Sequence, residues 1–176
     1  MKDRTKLALA KALQDILRTK TLDDVRVSEL CTRCDLQRQS FYYHFRDKYD
    51  LVAWIFLQDF KAGFFSNSNR LSRACITDIL CAVYEKKAFY LRVLADRSQN
   101  IPLLYIQNYI YGYCQNLFRR RDGVEELSED LCVKIHMLIY GSIGVTYEWL
   151  MGRIKKKSEE LAALLYSMVP QDMLQL

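Results

Sequence analysis

The chain has 176 residues, 51% hydrophobic and 27% charged, with a formal net charge of +5. This length can bury a real core in one large domain or two small ones, and the composition excludes a disordered or low-complexity chain. Met1 is not followed by a secretory apolar segment, and the most apolar stretch, 137–151, is interrupted by Gly141, Ser142, Gly144, Thr146 and Glu148. A cytoplasmic protein that does not span a membrane is therefore expected, with its six cysteines as free thiols.

Only two prolines and six glycines punctuate the sequence, and no period-2 alternation stands out, so the fold class is all-α. About nine helices are expected. The first runs over about 3–19, where Leu9, Ala12, Leu13, Ile16 and Leu17 share one face. A second covers about 27–34, with Leu30, Cys31 and Cys34 inward. Asp35 takes a turn position that wants a left-handed backbone, which Asp tolerates better than most residues. Leu36 is expected to plug the core. A third helix starts at Gln37, with Arg38, Gln39 and Tyr42 on one side and Phe41 and Phe45 on the other. Asp47 reads as the N-cap of a fourth helix, supported by Asp50 and running to about 65. Further helices are expected at about 72–84, 86–96, 102–120, 128–153 and 158–169. Ser128 and Ser158, each followed by two acids, are expected caps. The polar run Ser66-Asn67-Ser68-Asn69 closes the fourth helix. This divides the chain into an N-terminal three-helix, helix-turn-helix domain over 1–50 and a C-terminal helical domain over 51–176, with 51–66 as the boundary helix.

The charge follows this division. Residues 1–50 carry 11 Lys/Arg against 8 Asp/Glu, which is +3 of the +5. In a helix-turn-helix the N-terminal part of the second helix enters the major groove. Groove reading needs forked or paired hydrogen-bond groups: Arg38 suits guanine, and Gln37 or Gln39 suits adenine. Tyr42, Tyr43, His44 and Lys48 suit phosphates. The structural alternative for these residues is ordinary packing or solvated surface, and for Phe41 and Phe45 it is the expected role.

These residues carry a resemblance. Val27-Ser28-Glu29-Leu30-Cys31, Asp35-Leu36, Ser40-Phe41-Tyr42-Tyr43-His44-Phe45 and Asp47-Lys48-Tyr49-Asp50-Leu51 make residues 4–56 similar to the DNA-binding domain of the tetracycline-repressor (TetR/AcrR) family. The remainder resembles, more loosely, the shorter C-terminal regions of Gram-positive members, at Phe89-Tyr90, Gln99-Asn100, Glu126-Leu127-Ser128 and from Tyr140-Gly141 through Glu148-Trp149-Leu150. The resemblance implies base contacts near Ser28, Gln37, Arg38 and Gln39, and backbone contacts from Ser40, Tyr42, Tyr43, His44 and Lys48. Two positions depart from the family pattern. Arg26 replaces the usual Thr cap and offers a phosphate contact of its own, and Asp35 replaces the usual turn Gly.

The resemblance further implies a homodimer on double-stranded DNA with a palindromic operator, joined through the last two helices. Leu161, Leu164, Leu165 and Met168 form a stripe suited to that, with Leu138, Ser142 and Val145 on the preceding helix and Gly141 and Gly144 permitting close approach. It implies a small-molecule effector site among the middle helices, with Tyr84, Phe89, Tyr90, Tyr105, Tyr109, Tyr113 and Trp149 as candidate lining. The same aromatic set also reads as plain core.

No nucleophile with a His-Asp pair, Gly-rich phosphate loop or metal cluster occurs, so the chain does not read as an enzyme, and no cofactor or metal is expected. Cys31-x-x-Cys34 lacks a second pair for zinc and sits where small buried residues are needed. Arg119-Arg120-Arg121 and Lys155-Lys156-Lys157 read as solvated basic helix ends. The alternative function is a regulator-like co-activator that keeps the fold, has reduced DNA binding and acts by protein–protein interaction, for which Arg26 and Asp35 are the hints.

Overall fold

The computed structural model describes residues 2–65, 71–95 and 101–174. Among them the regular elements are all helical: α1 (Lys2–Ile16), α2 (Val27–Arg33), α3 (Arg38–His44), α4 (Lys48–Phe65), α5 (Arg73–Glu85), α6 (Lys87–Leu94), α7 (Ile101–Asp122), α8 (Glu129–Leu150) and α9 (Ser158–Ser167), with a 3-10 turn at Gln171–Met173. The expected polar break at Ser66-Asn67-Ser68-Asn69 and the Gln99-Asn100 pair lie outside the described residues.

The chain forms two compact units that are discontinuous in sequence. The first holds residues 1–56 and 86–106, and the second holds 57–85 and 107–176. A linear division at residue 50 does not anticipate that α6 and the start of α7 belong with the first three helices.

In the first unit, α1 packs on α2 and α2 on α3. Leu9, Leu13, Leu30, Phe41, Leu51 and Tyr90 are sealed from solvent. Each of these residues exposes about 150–250 Å² (aromatic) or somewhat less in an open chain, so their burial dominates the unit's stability. In the second unit α5 packs along α9. There a Cβ on Gly63 of α4 would lie 2.5 Å from the Ile79 backbone nitrogen of α5 and 2.7 Å from its Cα, so only glycine allows that approach. Leu161 is 2% exposed and Ala162 fully buried, which puts this face of α9 inside the unit.

The helix ends follow local chemistry. Ser128 caps α8, its hydroxyl accepting from the Leu131 N–H at 3.3 Å. Ser158, expected to do the same for α9, is instead its first helical residue, and the Cys81 thiol donates to its hydroxyl at 3.6 Å. The cap there is the Glu160 carboxylate, which reaches back to the Lys157 N–H at 2.9 Å. Lys157 itself has no acceptor to offer. The Lys155–Lys157 run therefore sits before α9 rather than on the last turn of α8, and Glu159 and Glu160 in the first turn of α9 offset it. Arg119, Arg120 and Arg121 do occupy the last turn of α7, as expected.

Candidate nucleic-acid interface

The turn between α2 and α3 is built from three residues. Asp35 adopts φ +52°, the one positive φ outside glycine among the described residues. With that hand, the Asp35 N–H reaches the Thr32 carbonyl at 3.3 Å and the Leu36 N–H reaches the Cys31 carbonyl at 2.9 Å. These two bonds close the end of α2 in the Schellman pattern and turn the chain sharply. Leu36 and Cys34 are half-buried rather than core residues. Arg26, at the start of α2, makes no side-chain cap, yet the helix forms with the Arg26 carbonyl accepting from Glu29 and Leu30. Neither departure from the family pattern distorts the motif.

Gln37 is the extended residue that caps α3, so the helix begins at Arg38, one residue later than expected. Phe41 is fully buried and Phe45, extended beyond the last turn, is 2% exposed. These two rings anchor α3, with Phe45 edge-on to Trp54 of α4 at 5.9 Å. Most of the other side chains on the helix face out. Gln37, Arg38 and Gln39 are exposed, and Ser40 and His44 are half-buried. Tyr42 is 49% and Tyr43 68% exposed, which rules out core packing for either. Arg38 Nη2 donates to the Tyr42 hydroxyl at 3.4 Å, one turn on, and Tyr43 meets His44 edge-on at 5.0 Å. Two large exposed aromatics beside an exposed guanidinium, over a sealed apolar base, form a surface suited to an anionic polymer. Arg26 and Ser28 at the start of α2 are exposed as well.

Lys48 is placed differently from its sequence expectation. Its ammonium donates to the Leu22, Asp23 and Val25 carbonyls at 2.6, 3.0 and 3.3 Å. All three protons of the ammonium are directed at the 22–25 connection, so Lys48 fastens that loop to the start of α4. Asp47 is the cap expected: its Oδ1 accepts from the Tyr49 and Asp50 N–H groups, both at 2.8 Å. Asp50, 4% exposed, accepts from the Arg46 N–H at 2.9 Å and from Arg46 Nη2 at 3.3 Å.

The candidate effector residues divide between the units. Phe89, Tyr90 and Tyr105 belong to the first. Tyr90 is fully buried against Phe56 and Phe89, and the Tyr105 hydroxyl donates to Asp47 Oδ2 at 2.8 Å. Tyr84, Tyr109, Tyr113 and Trp149 belong to the second. Trp149 is core: its indole N–H donates to the Lys156 carbonyl at 2.7 Å and its ring meets the half-exposed Tyr84 at 5.0 Å. Tyr109 is half-buried. The Tyr113 hydroxyl is buried and meets no hydrogen-bond partner among the described residues, its ring edge-on to Phe60 at 6.0 Å, and burial pushes the phenol's pKa up.

The candidate self-association residues also separate. Leu161 is internal, as described above, and is removed from that set. Leu138, Ser142, Val145 and Leu165 are half-buried, and Met168 is 70% exposed. Val133 and Met137 on α8, which the sequence reading did not single out, are both exposed, Met137 at 75%; they are spaced by four and continued by Gly141. A Cβ on Gly141 or Gly144 would meet nothing within 4 Å.

Burial pushes Cys31 and Cys34 above their ordinary pKa, and Cys114 up to about 12. No group of His, Cys, Asp or Glu among the described residues could hold a metal. No described helix is long and apolar enough to cross a membrane.

Three comparisons accord with this geometry. Residues 72–171 match the family model TetR_C_8, described as a transcriptional regulator C-terminal region. The chain is 31% identical over 65 residues to the HTH-type dhaKLM operon transcriptional activator DhaS of Lactococcus lactis subsp. lactis (strain IL1403). That match spans 37% of this chain and only 35% of the relative's length. The solved structure of a dihydroxyacetone kinase operon activator DhaS superposes with a TM-score of 0.54 at 17% identity, over 98% of both chains. At that identity the superposition shows the fold.

Proposed function

Because the chain belongs to the TetR family of transcriptional regulators, we propose that it binds a palindromic operator as a homodimer, reading bases through α3. The observation that carries this reading is the exposed row Gln37, Arg38, Gln39, Tyr42 and Tyr43 above the buried Phe41 and Phe45. Arg38 takes a guanine edge, Gln37 or Gln39 an adenine edge, and Ser40, Tyr42, Tyr43 and His44 the phosphates, with Arg26 and Ser28 beside them. Lys48 is left out of the contact set, since its protons serve the 22–25 loop.

One such helix is half of a site. Two, spaced about one helical turn of DNA or roughly 34–36 Å, would read a palindrome. Self-association through α8 and α9 is supported by Val133, Met137, Leu164 and Met168, large apolar side chains left exposed, and by the open space at Gly141 and Gly144. Modulation by a small molecule or partner at the second unit is supported by the buried hydroxyl of Tyr113, unpartnered among the described residues, since an unmet hydrogen bond of this kind costs about 1–3 kcal/mol until a partner arrives. With such an effector the balance between binding and non-binding states shifts by its differential affinity for the two.

Anisotropy titration against DNA from upstream of the chain's own coding region, at modest salt, is the direct trial. A dimer on a palindromic fragment is expected. A folded dimer that binds no palindrome would overturn the reading in favour of a co-activator acting through another protein.

A further inference from the structure

Only Phe45, Arg46 and Asp47 separate the recognition helix from α4, so the position of α3 depends on how firmly these three residues are held. Asp47 Oδ1 is occupied by the cap of α4, and Asp47 Oδ2 accepts the hydroxyl of Tyr105 at 2.8 Å. The Arg46 guanidinium lies over the Tyr105 ring, 5.2 Å from its centre, while bonding to Asp50. The Tyr49 ring is 6.1 Å from the same tyrosine. A residue 58 positions downstream, on a helix with no part in the helix-turn-helix, thus grips the connection from two sides. The phenol's pKa is raised first by the hydrogen bond to Asp47, as expected of a hydroxyl that donates to a carboxylate.

We propose that Tyr105 is a positioning residue for DNA reading: its hydroxyl fixes the Asp47 cap and thereby the end of the recognition helix. It touches no DNA. Tyr105 lies in the first turns of α7, a helix whose residues from 107 onward belong to the second unit. This inference rests on the DNA-binding reading above, and it assigns to Tyr105 a role other than lining an effector site.

The test is operator titration of full-length wild type and Tyr105→Phe at several salt concentrations, with 19F NMR of the 5-fluorotryptophan-labelled proteins. Tyr105→Phe keeps the ring under Arg46 and deletes the hydroxyl. The expected result is a folded dimer whose operator affinity falls about tenfold, or about 1.4 kcal/mol. The salt slope stays unchanged, because no phosphate contact is lost. The Trp54 resonance, whose indole abuts Phe45, shifts or broadens while that of Trp149 does not. Asp47→Asn keeps its single oxygen for the cap and puts an amide NH2 where Oδ2 accepted, so the Tyr105 hydroxyl can only accept a neutral bond there; it costs less alone and adds little to Tyr105→Phe. Should Tyr105→Phe fold poorly, Asp47→Asn carries the test, with a several-fold loss at unchanged slope.

Wild-type affinity in Tyr105→Phe would overturn the inference alone, and so would a fall in the salt slope, which would make the hydroxyl a phosphate contact. A loss accompanied by matching shifts at Trp149 would overturn it too, as general destabilisation. Absence of operator binding by the wild type would instead defeat the DNA reading and this inference with it.

Discussion

Lys48→Met separates a structural lysine from a phosphate-binding one. Methionine retains the apolar stem and deletes the ammonium, leaving the Leu22, Asp23 and Val25 carbonyls without their shared donor. A hydrogen bond to a charged group contributes about 1.5–3 kcal/mol net, but three on one half-exposed ammonium are not additive, and water reaches part of the site. Removing a cation from the first position of a helix returns about 0.3–1 kcal/mol. The net loss is about 2 kcal/mol, or roughly 4–8 °C in Tm for a chain of this length. The assay is thermal unfolding by far-UV circular dichroism, paired with operator titration from low to moderate salt. Destabilisation is expected, with a salt slope equal to wild type. Unchanged stability with a slope lowered by about 0.9, the loss of one phosphate contact, would refute the reasoning.

Gly63→Ala should destabilise by about 2–3 kcal/mol in denaturant titration, because the new Cβ meets Ile79 backbone, which cannot step aside as a side chain would; a neutral result would mean that α4 and α5 are not so close. Asp35→Gly relieves the left-handed residue and should stabilise by about 0.5–1 kcal/mol, whereas Asp35→Val should destabilise the same turn. Equal stability of the Gly and Val variants would contradict the positive φ. Met137→Glu, on the exposed face of α8, should leave the stability of the protomer within about 0.5 kcal/mol and shift the dimer towards monomer in light scattering. Persistence of the dimer would move the interface elsewhere.

The helix-turn-helix was legible because its determinants are local. Asp35 tolerates a left-handed backbone, Asp47 accepts from N–H groups two and three residues on, and the Phe41–Phe45 spacing fixes which side is buried. The helix boundaries came through to within a few residues for the same reason. What the sequence did not disclose are side-chain partners far away along the chain. Lys48 reaches back 23–26 residues, and Tyr105 reaches back 58. Leu161 shares a helical stripe with Met168, yet one is sealed and the other open: Leu161 lies within the first turn of α9 and Met168 is the residue that ends it. Ser158 followed by two acids has the pattern of a cap, but the chain enters α9 one residue earlier and Glu160 takes that role. The split of residues 57–106 between two units was likewise hidden, since it depends on which residues meet in space.

The central claim is that α3 reads sequence through Arg38. It is tested most directly by measuring the affinity of wild type and Arg38→Ala for the operator and for a scrambled duplex at one fixed salt concentration. The account predicts that Arg38→Ala loses roughly ten- to a hundredfold on the operator and much less on the scrambled duplex, so that discrimination collapses. An equal loss on both duplexes would make Arg38 a phosphate contact, and no loss on either would place the reading surface elsewhere.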